Sequence, residues 1–158
     1  MKTQLERARR KRVEEVVERV RAIAAAEEPG REDEAERFAH HFYRHVSPVD
    51  LQRESSENLA GAVISVWGFV QRRVPDEAKV RIFNPDCESK GWEATNTVVE
   101  IVNDDMPFLV DSVTGLLTDL GHEVYLVIHP IVRVERDDEG CMTGWSVSGE
   151  ELPGAGAG

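Results

Sequence analysis

Thr97-Val-Val-Glu-Ile-Val-Asn-Asp-Asp-Met-Pro-Phe-Leu-Val-Asp111 decides the fold. Val98, Val99, Ile101 and Val102 form a short β-branched run, and residues 97–102 are predicted as a strand. Asn103, Asp104, Asp105, Met106 and Pro107 follow as a tight polar turn, after which a helical pattern begins. Asn103, Asp104 and Asp105 can each accept from the orphan amides of a helix N-terminus, and Pro107 is tolerated in a first turn because its missing N–H would have no partner there. Asp104 or Asp105 is therefore expected to cap the helix. Such an end is also a ready site for a small ligand.

Downstream, the helix is expected to bury Leu109, Val113, Leu116, Leu117 and Leu120, with Gly121 in the left-handed position that follows many helices. A long strand is predicted over 122–134, with Val124, Leu126, Ile128, Val132 and Val134 on one face and Pro130 marking an edge or bulge. Asp137-Asp-Glu-Gly140 turns the chain into a return strand over 143–147. Upstream, residues 79–83 alternate around Val80 and Ile82 as a strand, and 86–95 read as a loop containing Gly91-Trp92. From residue 97, strand-helix-strand-strand matches the opening of a ferredoxin-like βαββαβ domain whose closing helix and strand are missing.

The first half has a different period. Thr3 and Glu6 stand at capping-box spacing, and Val13, Val16, Val17, Val20 and Ile23 recur on one helical face until Pro29-Gly30. A second helix carries Ala35, Phe38, Ala39, Phe42 and Val46 and ends near Ser47-Pro48. A third starts at Ser55 or Ser56 and places Leu59, Ala62, Val63, Val66, Trp67 and Val70 at helical spacing. The fold class is thus α+β, with helices over 1–75, an incomplete α+β domain over 76–147 and a linker-like tail over 148–158. The tail ends Gly-Ala-Gly-Ala-Gly with no helix after it, which reads as a linker cut in mid-protein rather than a phosphate loop.

Composition narrows the function. A net charge of -11, from 19 Lys+Arg against 30 Asp+Glu, argues against nucleic acid. The basic side chains of residues 1–21 read as a charged helix surface. Cys87 and Cys141 have no metal or redox spacing, no secretory signal core is present, and no apolar run is long enough to span a bilayer, so a reducing cytoplasm is expected. His41 and His45 stand at the i, i+4 spacing that can share a metal, next to His40, but without a third ligand; surface or capping roles are expected, and no metal site. His129 reads as strand packing. Asp104 and Asp105 could act as a carboxylate pair, but their place at a helix start favours first-turn acids. No nucleophile, base and orienter set is visible, so no catalytic residue is assigned.

Val99-Glu-Ile-Val-Asn-Asp-Asp-Met-Pro-Phe-Leu-Val-Asp-Ser-Val113, Val124-Tyr-Leu-Val-Ile-His-Pro130 and Lys79-Val-Arg-Ile-Phe-Asn-Pro85 closely resemble the N-terminal region of the large bacterial NAD-specific glutamate dehydrogenases, over roughly residues 35 to 140. The resemblance implies an ACT-type regulatory region of an enzyme that oxidises L-glutamate to 2-oxoglutarate and ammonium with NAD. The catalytic machinery and the NAD site would lie elsewhere in that parent, leaving this stretch inert alone and without a cofactor. It implies an amino-acid effector at Asn103, Asp104, Asp105, Met106 and Pro107. It also implies contact with the catalytic part of the parent; self-association is expected because the strands at 79–83 and 122–134 would leave sheet edges and apolar faces that the missing helix and strand normally cover. ACT domains that bind amino acids usually carry glycine after the turn proline, whereas Phe108 stands here and is expected to plug that spot. Amino-acid sensing is the sharper expectation; ligand-free oligomerisation, or a stand-alone interaction module, is its rival.

Overall fold

The computed structural model describes residues 2–150. Val13, Val16, Val17, Val20 and Ala24 are the buried stripe of α1 (Lys2–Glu27). The helix already includes Thr3, so Thr3 is not its N-cap; continuous helical pattern on both sides of it outweighs the capping-box spacing. The stripe packs on α2 (Glu32–Phe42) and α4 (Ser56–Val70). Between these lies α3 (Pro48–Arg53), too short for periodicity to reveal but written in its start: Ser47 accepts from the Asp50 amide at 3.1 Å, and Pro48 occupies the first turn. Ser55 caps α4 in the same way, through the Asn58 amide.

α2 stops at Phe42, earlier than its apolar stripe suggested, because Val46 reaches the core from the turn beyond it. The carbonyls this turn exposes are met from α1. Arg9 donates to Tyr43 O at 2.8 Å and Val46 O at 3.3 Å, while Arg12 donates to Leu51 O at 3.2 Å and Ser56 Oγ at 3.0 Å. Arg19 pairs with Glu57, and Arg21 with Asp33 and Glu36. Four of the eight basic residues of the first 21, Arg9, Arg12, Arg19 and Arg21, thus hold other parts of the fold.

Phe38, Trp67 and Trp145 meet with ring centroids 5.2 to 6.2 Å apart, and Arg37 lies over Trp145 at 4.6 Å. Trp145 belongs to β4 (Met142–Val147), which pairs antiparallel with β3 (Val132–Arg136), so the C-terminal hairpin closes the helical core. Arg136 fastens that hairpin, donating to Val70 O at 2.8 Å and Gly140 O at 3.0 Å.

β1 (Lys79–Phe83) pairs antiparallel with β2 (Val98–Val102) in a second two-stranded sheet laid on α4. The expected loop at 86–95 contains a short helix, α5 (Cys87–Lys90), with Asp86 accepting from the Ser89 amide and Gly91 at φ 75°. Trp92 then lies buried against Gly61 of α4. α6 (Leu109–Asp119) follows β2 and ends in the expected glycine turn, with Gly121 at φ 85° and the His122 amide on Leu117 O at 2.9 Å.

Three expectations need correction here. α6 has no buried residue: Leu116 is 60% exposed and Leu120 64%. The strand expected over 122–134 is paired only from Val132, because residues 123–131 have no strand beside them among the described residues. The strand-helix-strand-strand unit is also split, since β2 pairs with β1 while β3 and β4 form the separate hairpin.

Candidate docking and effector site

The turn over 103–107 lies between β2 and α6 and is exposed at Asp104, Asp105, Met106 and Pro107. Neither aspartate caps the helix. The N-cap position is Phe108, which supplies no side-chain acceptor; the Ser112 amide opens the helix on Phe108 O at 2.8 Å. Two residues separate even Asp105 from that position, so a proline and a left-handed residue intervene before the first helical amides. Asp104 is instead held by Arg73, Nη1 to Oδ1 at 2.8 Å, and that hydrogen bond keeps its carboxyl below the ordinary range. Arg73 is itself largely buried; its Nε donates to Glu77 O at 2.6 Å and its amide to Gly140 O at 3.0 Å. Through Arg73 the turn is tied to the β3–β4 hairpin.

Phe108 has φ 65°, in the left-handed region that costs a bulky side chain on the order of 1 kcal/mol or more. Its ring is 76% exposed, so it does not plug the space behind the turn as expected. The backbone takes the conformation glycine would take, and the side chain points to solvent. Asn103 contributes a weak contact, Nδ2 to Met106 Sδ at 3.9 Å.

The apolar surface beside the turn is larger than the turn itself. In the β1–β2 register Val80 faces Ile101 and Ile82 faces Val99, and all four are more than a third exposed, Ile82 most of all at 67%. The other face of this sheet meets α4 with polar groups. Arg81 Nε lies 3.1 Å from Glu100 Oε2, Ser65 Oγ donates to Glu100 Oε1 at 2.7 Å, and Lys79 Nζ donates to Phe69 O at 2.7 Å. Burial, and then Arg81, push the Lys79 ammonium down. Ile82, Val99 and Ile101 of the aliphatic sheet face line one open cleft with half-buried Leu109, Val113 and Leu117 of α6 and with residues 122–131, while Leu116 and Leu120 are exposed outside it.

The family model described as the glutamate dehydrogenase ACT1 domain matches residues 38–156, most of the chain. The chain belongs to the glutamate dehydrogenase ACT1 domain family. It is similar to the NAD-specific glutamate dehydrogenase of Halomonas elongata, 43% identical over 106 residues that make up 67% of this chain and 7% of that protein. It is also similar to the enzyme of the same name from Pseudomonas aeruginosa, 35% identical over 103 residues, 65% of this chain and 6% of that protein. The chain thus spans a small part of the relatives it matches. No solved structure matches it.

In this ACT1 domain the five turn residues are contiguous, and their side chains do not converge on a single point. Asp104 turns to Arg73, Asn103 to Met106, and Asp105 is exposed. Sequence reasoning missed Arg73, although it stands between a predicted helix and a predicted strand, where a long donor can reach several loops. It expected an uncovered apolar face at 79–83 but not its extension over β2, whose signal was the Lys79, Arg81 and Glu100 set on the opposite parity. His41 reaches Ile131 O at 2.9 Å, and His40 lies near Glu36; among the described residues no cluster suited to a metal occurs. No described helix is long and apolar enough to cross a membrane.

Proposed function

We propose that this ACT1 domain is a non-catalytic assembly and regulatory module of an NAD-specific glutamate dehydrogenase, a parent that oxidises L-glutamate to 2-oxoglutarate and ammonium. One observation carries the reading: Ile82, Val99 and Ile101 of the β1–β2 face, Leu109, Val113 and Leu117 of α6, and residues 122–131 line a single open cleft. Burying each large side chain of that surface is worth about 1.5 to 3 kcal/mol, so another surface that covers it is held firmly. Both described sheets are two-stranded and antiparallel, which supports placing the NAD site elsewhere in the parent. Hydride transfer belongs to the rest of the parent.

The experiment is the parent enzyme carrying Ile82→Lys and Leu117→Lys, both in the cleft. The reading expects subunits that dissociate or lose regulation while glutamate-dependent NADH formation persists. Unchanged assembly and regulation would contradict it, as would NADH formation by the purified 158-residue chain above a heat-treated control.

A second reading, amino-acid sensing at residues 103–107, is favoured by Phe108, whose exposed ring leaves the turn open. It predicts a thermal shift of the chain by at least one of the twenty amino acids at millimolar concentration; at a hundredfold excess over Kd the stabilisation is roughly 2.7 kcal/mol. Absence of any shift would remove sensing and leave assembly.

A further inference from the structure

Residues 123–131 are an extended stretch whose amides and carbonyls have no backbone partner among the described residues. The stretch is fixed at both ends. His122 is tied to Leu117 O at 2.9 Å, and Ile131 O takes a hydrogen bond with His41. Its side chains follow the period of a strand: Tyr125 Oη donates to Glu123 Oε2 at 2.9 Å, an i, i+2 contact along one face. Val124, Tyr125, Leu126 and Val127 are 39 to 64% exposed, so both faces are apolar and open. A flat apolar edge of this kind is a template for another strand.

We propose that the occupant is a second copy of the chain, with residues 123–129 of each copy paired antiparallel about a two-fold axis at Leu126. The inference rests on the assembly reading above and names its contact. In a symmetric antiparallel pair, opposite residues share a parity, so the axis passes through a residue position. Centred on Leu126, Val124 faces the partner's Ile128 and Tyr125 faces the partner's Val127. Glu123 faces the partner's His129, whose imidazole N–H its carboxylate can accept. Aliphatic, aromatic with β-branched, and acid with imidazole are all favourable cross-strand pairs. Centring on Tyr125 would set Glu123 against Val127, and centring on Val127 would set it against Ile131. Of these three centres, the one at Leu126 gives Glu123 a polar partner across the pair.

Pro130 is compatible with this arrangement. Lacking an N–H, it cannot occupy a position that donates to the partner. With Leu126 at a non-hydrogen-bonded pair, the amides of residues 123, 125, 127 and 129 form the ladder and Pro130 falls on the silent parity. The interface is isologous, so it closes at two copies.

The test is sedimentation and cross-linking of the 158-residue chain with Cys87 and Cys141 changed to Ser. Leu126→Cys should give a disulfide-linked dimer on mild oxidation, because Cα atoms of a non-hydrogen-bonded pair stand about 4.5 Å apart. Val124→Cys should not, since its two copies would be about 14 Å apart. Leu126→Arg, which leaves the core untouched, should raise the dimer dissociation constant at least about tenfold with an unchanged melting profile. Glu123→Lys should weaken the dimer, and adding His129→Glu should restore it. A chain that stays monomeric at about 100 µM, a concentration that would populate a dimer with micromolar Kd, overturns the proposal. So does equal cross-linking through residue 124. A dimer lost in Ile82→Lys but intact in Leu126→Arg overturns this register while leaving the assembly reading in place.

Discussion

Gly61 and Gly68 lie on the same helix, and their surroundings give opposite predictions. A methyl at Gly61 would fall inside the Trp92 ring, whereas nothing lies within 4 Å of one at Gly68. Gly68→Ala should therefore stabilise by about 0.5 to 1 kcal/mol through helix propensity. Gly61→Ala gains the same amount but forces the ring aside, an overpacking cost of about 1 to 3 kcal/mol, and a net loss is expected. Urea unfolding of both variants, with Trp92 emission followed, checks the pair. Asp104 gives a pH signature. Arg73 depresses its carboxyl, so the contribution is present above the ordinary value of 3.8 and disappears as pH falls through the lower folded value. Asp104→Asn should lower the melting temperature slightly near neutrality, and the gap should close in acid; a gap that persists in acid would mean that the pair contributes nothing. Such links were illegible in the sequence, because Arg73 and Asp104 meet only after β1 and β2 have paired.

Elements were legible where local chemistry specifies them. Ser55 before Leu59 and Val63, and Gly121 after α6, fix helix ends from within a few residues, and structure agrees with both. Residues 122–131 failed for the opposite reason: their composition is that of a strand, but a strand exists only beside a partner. α6 failed likewise, since amphipathicity states that a face is to be buried and not by what. β1 and β2 were found, but alternation alone cannot say which parity faces the helices, and half-buried Arg81 with buried Glu100 outweighed the aliphatic side. The contrast is measurable. Leu120→Glu should change the stability of the isolated chain by no more than about 0.5 kcal/mol, as at other exposed sites. Trp145→Ala, which empties the centre of the aromatic cluster, should cost about 3 to 5 kcal/mol. If Leu120→Glu costs as much as a core substitution, the outer face of α6 is covered in solution, contrary to its exposure here.

At the scale of the molecule, a well-filled helical core closed by Trp145 stands beside a β1–β2 sheet, a helix and an extended stretch whose apolar faces await cover. The turn sequence and its neighbours identified the family, and the helical periods identified the core; open apolar faces at 79–83 and 122–134 were expected, but their shared cleft emerged only from the pairing of strands far apart in the chain. That surface is the centre of the account, and hydrogen exchange reads it directly. In dilute chain, the amides of α1, α2 and α4 should be protected to the free energy of global unfolding, while those of residues 123–129 exchange nearly freely. On concentration, protection should rise in residues 123–129 without change in the helices. Protection of residues 123–129 equal to that of the core in a dilute monomer, or none at concentrations where the chain is associated, would contradict it.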